Sequence, residues 1–151
     1  MEHLLIKEIP YQSCEYHLEV ALRDKILRRP LGLSLYEEKL DHEKEDIHLG
    51  AFQNGTLLGV LILTKLDHGD FKMRQVAVEE MLQGKGIGKR LVLHAENYAR
   101  QKGAKGIILH ARKTAVAFYE KLGYQTIGEE FIEVKLPHKK MFKTLSTEAQ
   151  Q

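Results

Sequence analysis

The sequence has little cysteine, no long apolar run and almost no excess of either charge, and each shortage excludes a class of protein. The single cysteine, Cys14, excludes an internal disulfide and a zinc cluster built from cysteines. The longest apolar run, from Leu57 to Leu63, is far shorter than the roughly 20 residues of a membrane-spanning helix. A formal net charge of +2 gives no electrostatic case for binding nucleic acid or a membrane.

Two further absences concern targeting and metals. The start, Met1 to Leu5, lacks a basic region followed by an apolar core, so we expect no signal peptide and a cytoplasmic protein. The eight histidines show no H-E-x-x-H or similar spacing, so we expect no metal site. The composition, 43% hydrophobic and 29% charged over 151 residues, predicts a single globular domain over residues 1–151.

The order of hydrophobic patterns predicts an α/β fold with a mixed sheet. Asn54-Gly55 between two apolar runs is a strong hairpin signal. Three antiparallel strands followed by strand, helix and strand give a mostly antiparallel sheet with helices on both faces. The predicted elements are strand 4–9, helices 11–29 and 34–41, strands 47–53, 56–66 and 71–79, helix 87–102, strand 105–111, helix 114–122, and strands 124–127 and 131–142.

The most informative stretch is the glycine-rich segment that joins the third of these antiparallel strands to the long helix. Glycine lets backbone amides face a ligand, and a helix N-terminus adds partial positive charge. Three basic side chains add full charges, so the segment predicts a phosphate-binding turn. The predicted contacts are Gln83, Gly84, Lys85, Gly86, Ile87, Gly88, Lys89 and Arg90.

Spacing separates this turn from two common phosphate-binding motifs. A P-loop would need glycine at Gln83 and a hydroxyl at Arg90. The dinucleotide pattern G-x-G-x-x-G would need glycine at Lys89. A glycine-rich turn without any ligand is the alternative that these residues leave open.

The turn resembles the acyl-CoA-binding signature of the Gcn5-related N-acetyltransferases, Gln/Arg-x-x-Gly-x-Gly/Ala after a strand. The strand Val76-Ala77-Val78 and the run from Gln83 to Gly88 match it. The resemblance implies that acetyl-CoA is the acyl donor, that the thioester lies along Val76, Ala77 and Val78, and that the central strands splay apart there. A backbone N–H in this strand would then stabilise the developing oxyanion.

A second segment, Ala115 to Tyr124, is similar to the A-x-x-F-Y-E-K-x-G-F/Y segment of the same family. Phe118 is expected to face the core, with Tyr119 turned away from it. The resemblance implies that Tyr119 lies near the CoA sulfur and protonates the departing thiolate, since a phenol is still protonated at neutral pH. The alternative is a half-buried tyrosine whose hydroxyl meets a backbone carbonyl.

The chain departs from the family at two places, one of which concerns removal of the proton from the amine. The strand before the turn, Lys72 to Gln75, lacks the carboxylate that many members use, and Arg112 stands where many carry Asn or Gln. His110 is a candidate base or proton relay, because a histidine titrates near neutrality. Glu133 and His138 are further candidates, in an ending that resembles ElaA-like bacterial proteins. Ordinary structural roles remain open for all three.

Two functions from different classes fit the sequence. The first is an N-acetyltransferase that joins acetyl-CoA and a small amine or peptide acceptor in a ternary complex. The second is a non-catalytic acyl-CoA sensor or regulatory protein on the same fold, favoured by the missing strand carboxylate. Cys14 suggests a covalent acyl-enzyme, but no base is evident beside it in the first helix. Homodimers are common in the resembled family, so a homodimer is possible. The acceptor stays open.

Overall fold

The computed structural model describes residues 3–145. Its seven strands form one sheet in the order β1-β2-β3-β4-β5-β7-β6. The regular elements are β1 Leu4–Glu8, α1 Cys14–Arg23, β2 Ile47–Gln53, β3 Thr56–Lys65, β4 Phe71–Val78, α2 Ile87–Gln101, β5 Gly106–Arg112, α3 Val116–Lys121, β6 Gln125–Glu133 and β7 Leu136–Thr144. The mixed, mostly antiparallel α/β fold is confirmed. No helix within residues 3–145 is long and apolar enough to cross a membrane.

The chain divides into two compact units, and β4 and α2 each contribute to both. Unit 1 comprises Met1–Thr64 and Gln75–Ala95, and unit 2 comprises Lys65–Arg74 and Glu96–Gln151. In unit 1, β1 pairs antiparallel with β2, and β2 pairs antiparallel with β3 through the predicted turn at Asn54 and Gly55. The hairpin prediction is therefore confirmed.

Helix α1 begins three residues later than predicted, at Cys14, and ends six residues earlier, at Arg23. Ser13 caps it, its hydroxyl accepting a hydrogen bond from the backbone N–H of Tyr16 at 3.1 Å. After Arg23 the chain continues as a π-helical turn, Asp24–Arg28, and a short 3₁₀ turn that contains Pro30. The helix predicted over 34–41 is wrong, because the structure has only short 3₁₀ turns there, Leu35–Glu37 and Asp41–Glu45.

The apolar core of unit 1 packs residues of α1 against residues of β2, β3 and β4. Burying each aliphatic or aromatic side chain contributes roughly 1.5–3 kcal/mol. Gly59 lets α2 approach β3, because a Cβ at Gly59 would lie 3.0 Å from Leu91 and 3.2 Å from Ile87. The cluster consists of Ile9, Tyr16, Val20, Leu22, Leu35, Phe52, Leu57, Val60 and Ala77.

Unit 2 is built on β5, whose residues alternate between buried and partly exposed. The first half of β4 pairs with it in parallel over three residue pairs, Phe71–Met73 with Ile107–Leu109. Strand β7 pairs antiparallel with both β5 and β6. Beneath them, the buried Glu96 of α2 accepts hydrogen bonds from Lys143 Nζ and from the Tyr124 hydroxyl.

The structure corrects two predictions in unit 2. The last two strands were predicted over 124–127 and 131–142, with the connection before Phe131. In the structure the connection comes later, at a tight turn where Val134 and Lys135 have positive φ angles of 48° and 66°. Phe118 was expected in the core, but it is 37% exposed, whereas Tyr119 is buried at 7%. The short helix α3 packs Tyr119 edge-to-face against Tyr124, with ring centroids 5.8 Å apart, and this packing turns Phe118 outward.

Candidate active site

The glycine-rich segment from Gln83 to Arg90, which we call the glycine turn, lies in unit 1. It follows a 3₁₀ turn at Glu80–Leu82 and includes the first residues of α2. Gly84 and Gly86 have φ angles of +83° and +91°, and a Cβ at either position would meet no atom within 4 Å. Only glycine adopts this backbone without strain, and the space beside both residues is open to a ligand. The side-chain amide of Gln83 donates to the Val78 carbonyl at 3.0 Å, which ties the turn to the end of β4.

The charges at this turn suit an anion. Lys85, Lys89 and Arg90 are exposed, while Ile87 is buried and anchors the first turn of the helix. The N-terminus of a 15-residue helix carries partial positive charge and unpaired backbone N–H groups. The predicted residues are therefore together in one turn, with an arrangement that can bind a phosphate or diphosphate.

Strand β4 has an unusual backbone at Gln75, directly before Val76. Gln75 is a non-glycine residue with a φ of 58°, which costs free energy unless neighbouring groups hold it. Its side-chain oxygen accepts a hydrogen bond from Arg23 Nε at 3.0 Å. Helix α1 thus contacts the strand that carries the predicted acyl-binding residues Val76, Ala77 and Val78.

Arg23 belongs to a buried set of polar side chains that we call the buried charge cluster: Tyr16, Glu19, Arg23, Glu43 and His48. The guanidinium donates to both oxygens of Glu43, at 3.0 and 2.6 Å, and to Glu19 at 2.9 Å. The Tyr16 hydroxyl donates to Glu43 at 2.7 Å. His48 pairs with Glu19 at 2.7 Å through Nδ1, and with the Glu43 carbonyl at 2.9 Å through Nε2.

Charge balance explains why the buried charge cluster is stable without exposure to water. Burial alone would lower the pKa of His48, but the hydrogen bond and charge of Glu19 raise it. Burial would likewise raise the pKa of Glu43, but Arg23 lowers it. Both ring nitrogens of His48 face acceptors, so the ring donates from both and is protonated, and His48 and Arg23 together balance two carboxylates. Glu19, Glu43 and His48 lie close enough to hold a metal ion, but the Arg23 guanidinium already bridges both carboxylates.

The residues predicted for proton transfer lie in unit 2. His110 Nδ1 is 2.9 Å from Glu133 Oε1, and these side chains are 24% and 41% exposed. Within residues 3–145, His110 Nε2 has no hydrogen-bond partner. A Glu133 carboxylate can only accept, so Nδ1 carries a proton, and in the neutral imidazole Nε2 then has a free lone pair. His138, by contrast, is buried, and its Nδ1–H donates to the Leu136 carbonyl at 2.8 Å.

Tyr119 is nearly enclosed, and burial raises the pKa of its phenol. Its ring contacts Phe118 and Tyr124, with centroids 4.9 and 5.8 Å away. Across the described residues, its hydroxyl makes no hydrogen bond, so the alternative of a hydroxyl paired with a backbone carbonyl is not met. A protonated hydroxyl without an internal partner can donate to a ligand.

Comparison with known proteins defines the class to which this fold and this turn belong. The family described as Acetyltransferase (GNAT) family matches residues 11–124, so the chain is a member of the Gcn5-related N-acetyltransferases. A Bacillus subtilis protein named "Uncharacterized N-acetyltransferase YitI" is 29% identical over 136 residues, which cover 83% of this chain and 89% of that protein. The family resemblance predicted from the two motifs is therefore confirmed.

Solved structures agree on the fold. A structure described as a putative N-acetyltransferase from Lactobacillus plantarum superposes with a TM-score of 0.84 at 23% identity, covering 96% of this chain and 100% of that one. An aminoglycoside 6'-N-acetyltransferase complexed with coenzyme A superposes with a TM-score of 0.77 at 19% identity, covering 94% of this chain and 97% of that one. Escherichia coli ElaA superposes with a TM-score of 0.76 at 18% identity, covering 93% of this chain and 99% of that one.

Sequence reasoning missed the buried charge cluster. The local signal was present, because Glu19 and Arg23 are four residues apart and therefore share one face of α1. Glu43 and His48 gave no comparable signal, since acidic residues in a polar segment and a lone strand histidine are usually solvated. Only the fold brings these four side chains together.

Proposed function

We propose that this chain is an acetyl-CoA-dependent N-acetyltransferase that acetylates a primary amine by direct attack in a ternary complex. The glycine turn carries the proposal. Two left-handed glycines with open space beside them, next to three exposed cations at a helix N-terminus, suit the diphosphate of CoA. Gln83 to Arg90 would hold that diphosphate. The family match spans parts of both units, which supports one acetyltransferase domain over residues 1–151.

The acyl group is assigned to the end of β4. Val76, Ala77 and Val78 would run along the thioester, and a backbone N–H of this strand would donate to the carbonyl oxygen as negative charge develops. Arg23, through its hydrogen bond to Gln75, fixes the backbone that leads into these residues. The backbone N–H proposed to stabilise the oxyanion therefore comes after Gln75 in β4, whose side chain is held by the buried guanidinium of Arg23.

Proton transfer is assigned to His110 and Tyr119. An amine like that of lysine has a pKa near ~10.4, so removing its proton at pH 7 costs roughly 4–5 kcal/mol. His110 Nε2 would accept the proton as the amine nitrogen bonds to the acyl carbon, with Glu133 holding the ring through Nδ1. The carbon–sulfur bond then breaks, and the Tyr119 hydroxyl would protonate the leaving thiolate.

The first test is transfer itself. The protein is mixed with acetyl-CoA and a panel of polyamines, amino sugars, amino acids, aminoglycosides and peptides, and free thiol is followed. Release of thiol that depends on an amine supports the transferase. Tight CoA binding without thiol release from any amine would instead support the acyl-CoA sensor.

The glycine turn has its own test. Gly86→Val should weaken CoA binding by at least about tenfold in calorimetry, because the side chain occupies the space beside the turn. Gly32→Val is the matched control, since Gly32 has a φ of +75° and open space in the same unit but lies outside the turn. Unchanged CoA affinity in a folded Gly86→Val protein would remove the turn from the CoA site.

Tyr119 can be tested by removing one oxygen atom. Tyr119→Phe should lower kcat by roughly 10²–10⁴-fold, the size of a general-acid contribution, with CoA affinity almost unchanged. The effect should disappear with an acyl donor whose leaving group needs no proton. Wild-type kcat in this variant, with chemistry rate-limiting, would leave Tyr119 as a packing residue.

A further inference from the structure

The sheet face that carries His110 in unit 2 has a distinctive set of neighbours. Residues 107, 109 and 111 of β5 are buried, whereas Ile108, His110 and Arg112 are partly exposed. The pairing register places Lys140 of β7 opposite His110, and Lys72 of β4 opposite Ile108. We call this surface the His110 face, consisting of Lys72, Ile108, His110, Phe131, Glu133 and Lys140.

Cations outnumber carboxylates on the His110 face. Burial lowers the pKa of Lys72; the charge of Glu133 raises it, and the charges of Arg74 and Lys140 lower it further. These charges are therefore close enough to act on one another. Glu133 is the carboxylate of this set, and it is already hydrogen-bonded to His110. Within residues 3–145, neither Lys72 nor Lys140 forms an ion pair or a hydrogen bond through its ammonium.

This charge distribution selects among amines. A second positive charge on an acceptor would be repelled by Lys72 and Lys140, whereas an anionic group would pair with them. The same cations favour the neutral form of a nearby amine, because like charges disfavour protonation. The neutral amine is the form that attacks a thioester. One set of lysines can thus attract the acceptor and assist its deprotonation.

We propose that the acceptor is an anionic primary amine, whose carboxylate or phosphate binds Lys72 and Lys140 while its amino group faces His110 Nε2. This inference rests on the proposed transferase activity and names the substrate class of that site. It excludes multiply cationic acceptors such as polyamines. The ring of Phe131, whose centroid is 5.0 Å from that of His110, supplies an apolar wall for the carbon chain between the two groups.

The test compares acceptors that differ only in the second group. β-Alanine, β-alaninamide and 1,3-diaminopropane share a three-carbon chain and carry a carboxylate, a neutral amide and an ammonium. Glycine and 4-aminobutyrate vary the spacing, and phosphoethanolamine tests phosphate. We expect kcat/KM for the best anionic amine to exceed that of the matched amide by about tenfold and that of the diamine by about a hundredfold. Salt should reduce the preference.

Variants assign the preference to the two lysines. Lys72→Met and Lys140→Met should each lower kcat/KM for the anionic amine about tenfold and lower that for the amide much less, because the amide lacks the negative charge that pairs with the lysines. Lys140→Glu should shift the preference toward the diamine. Lys139→Met is the matched control, because Lys139 is adjacent on β7 but pairs with Ala111 and so points to the other face. CoA affinity should be unchanged in all four variants.

A binding measurement separates this inference from the activity itself. With CoA in place of acetyl-CoA, the His110 ring resonances, assigned with His110→Gln, should shift on adding the anionic amine and not the diamine. Such shifts without turnover would reject the transferase and keep the site. Turnover with equal or greater preference for the diamine would overturn the inference and keep the transferase. Loss of CoA affinity in the lysine variants would assign these cations to CoA phosphates and also overturn it.

Discussion

The protein contains two His–Glu pairs with nearly equal distances and opposite environments. His48 Nδ1 lies 2.7 Å from Glu19 in unit 1, and both side chains are almost completely buried. His110 Nδ1 lies 2.9 Å from Glu133 in unit 2, and both are partly exposed. His48 Nε2 is bonded to the Glu43 carbonyl, whereas His110 Nε2 has no partner in residues 3–145. The second ring nitrogen, rather than the pair itself, distinguishes a structural histidine from one available for chemistry.

The surrounding charges strengthen this difference. Around His48, every ionised group has an opposite partner, so the buried charge cluster contributes to the fold only while it stays complete. Around His110, cations exceed carboxylates, and a ligand can supply the missing charge. Breaking each pair should therefore affect a different property, stability in unit 1 and turnover in unit 2.

The largest expected effect comes from removing the cation of the buried charge cluster. Arg23→Met leaves two buried carboxylates without their main partner, and it should lower the free energy of unfolding by about 3–5 kcal/mol. Urea denaturation measures the change. Arg29→Gln is the control, because Arg29 is exposed and 3.7 Å from Asp24, and it should stay within about 0.5 kcal/mol of wild type. A loss as small as the control's would mean that water or another group stabilises the carboxylates.

The corresponding change in unit 2 should spare the fold. His110→Gln removes the free ring nitrogen and should lower kcat by about 10²-fold, the lower end of a general-base contribution. The urea midpoint should stay close to wild type, since the pair is partly exposed. If turnover persists unchanged while stability falls, His110 is a structural residue like His48, and the contrast between the pairs is lost.

The smallest effect is a dependence of stability on pH. Because the pKa of His48 is raised in the folded protein, folding retains a proton that the unfolded chain releases near pH ~6.5. This stabilisation is complete below that pH and is lost as the pH rises through the folded pKa, with a slope of at most about 1.4 kcal/mol per pH unit. Urea unfolding between pH 6 and 9 should show the slope in wild type and in His110→Gln, but not in His48→Gln. A flat wild-type profile would mean that His48 is neutral.

Local chemistry explains what the sequence could predict. Asn54-Gly55 marks its hairpin because both residues suit positive φ angles, and the glycine turn is visible for the same reason. The turn at Val134 and Lys135 uses residues that do not favour this backbone, so no local signal located it. The predicted burial of Phe118 rather than Tyr119 was wrong because α3 is short. The edge-to-face contact with Tyr124, rather than helical periodicity, decides which ring is buried.

Tertiary contacts explain what the sequence could not predict. His110 could be named from its position at a strand end, but its pairing with Glu133 depends on the register of β5, β7 and β6. The excess of cations around it depends on Lys72 and Lys140, which are separated by more than sixty residues in the chain. The proposed substrate class is therefore a property of strand pairing that no single motif contains.

The hydrogen bond from Arg23 to Gln75 also limits how this protein can evolve. A helix outside the ligand-binding turn is a natural place for sequence change, because its side chains can vary while the glycine turn is kept. Here α1 is not free to vary at every position, since Glu19 and Arg23 hold the buried charge cluster together and Arg23 also holds the side chain of Gln75 in β4. Substitutions in α1 are therefore expected at its other positions. Replacing Glu19 or Arg23 alone would leave a buried charge without its partner, so the partners would have to change at the same time.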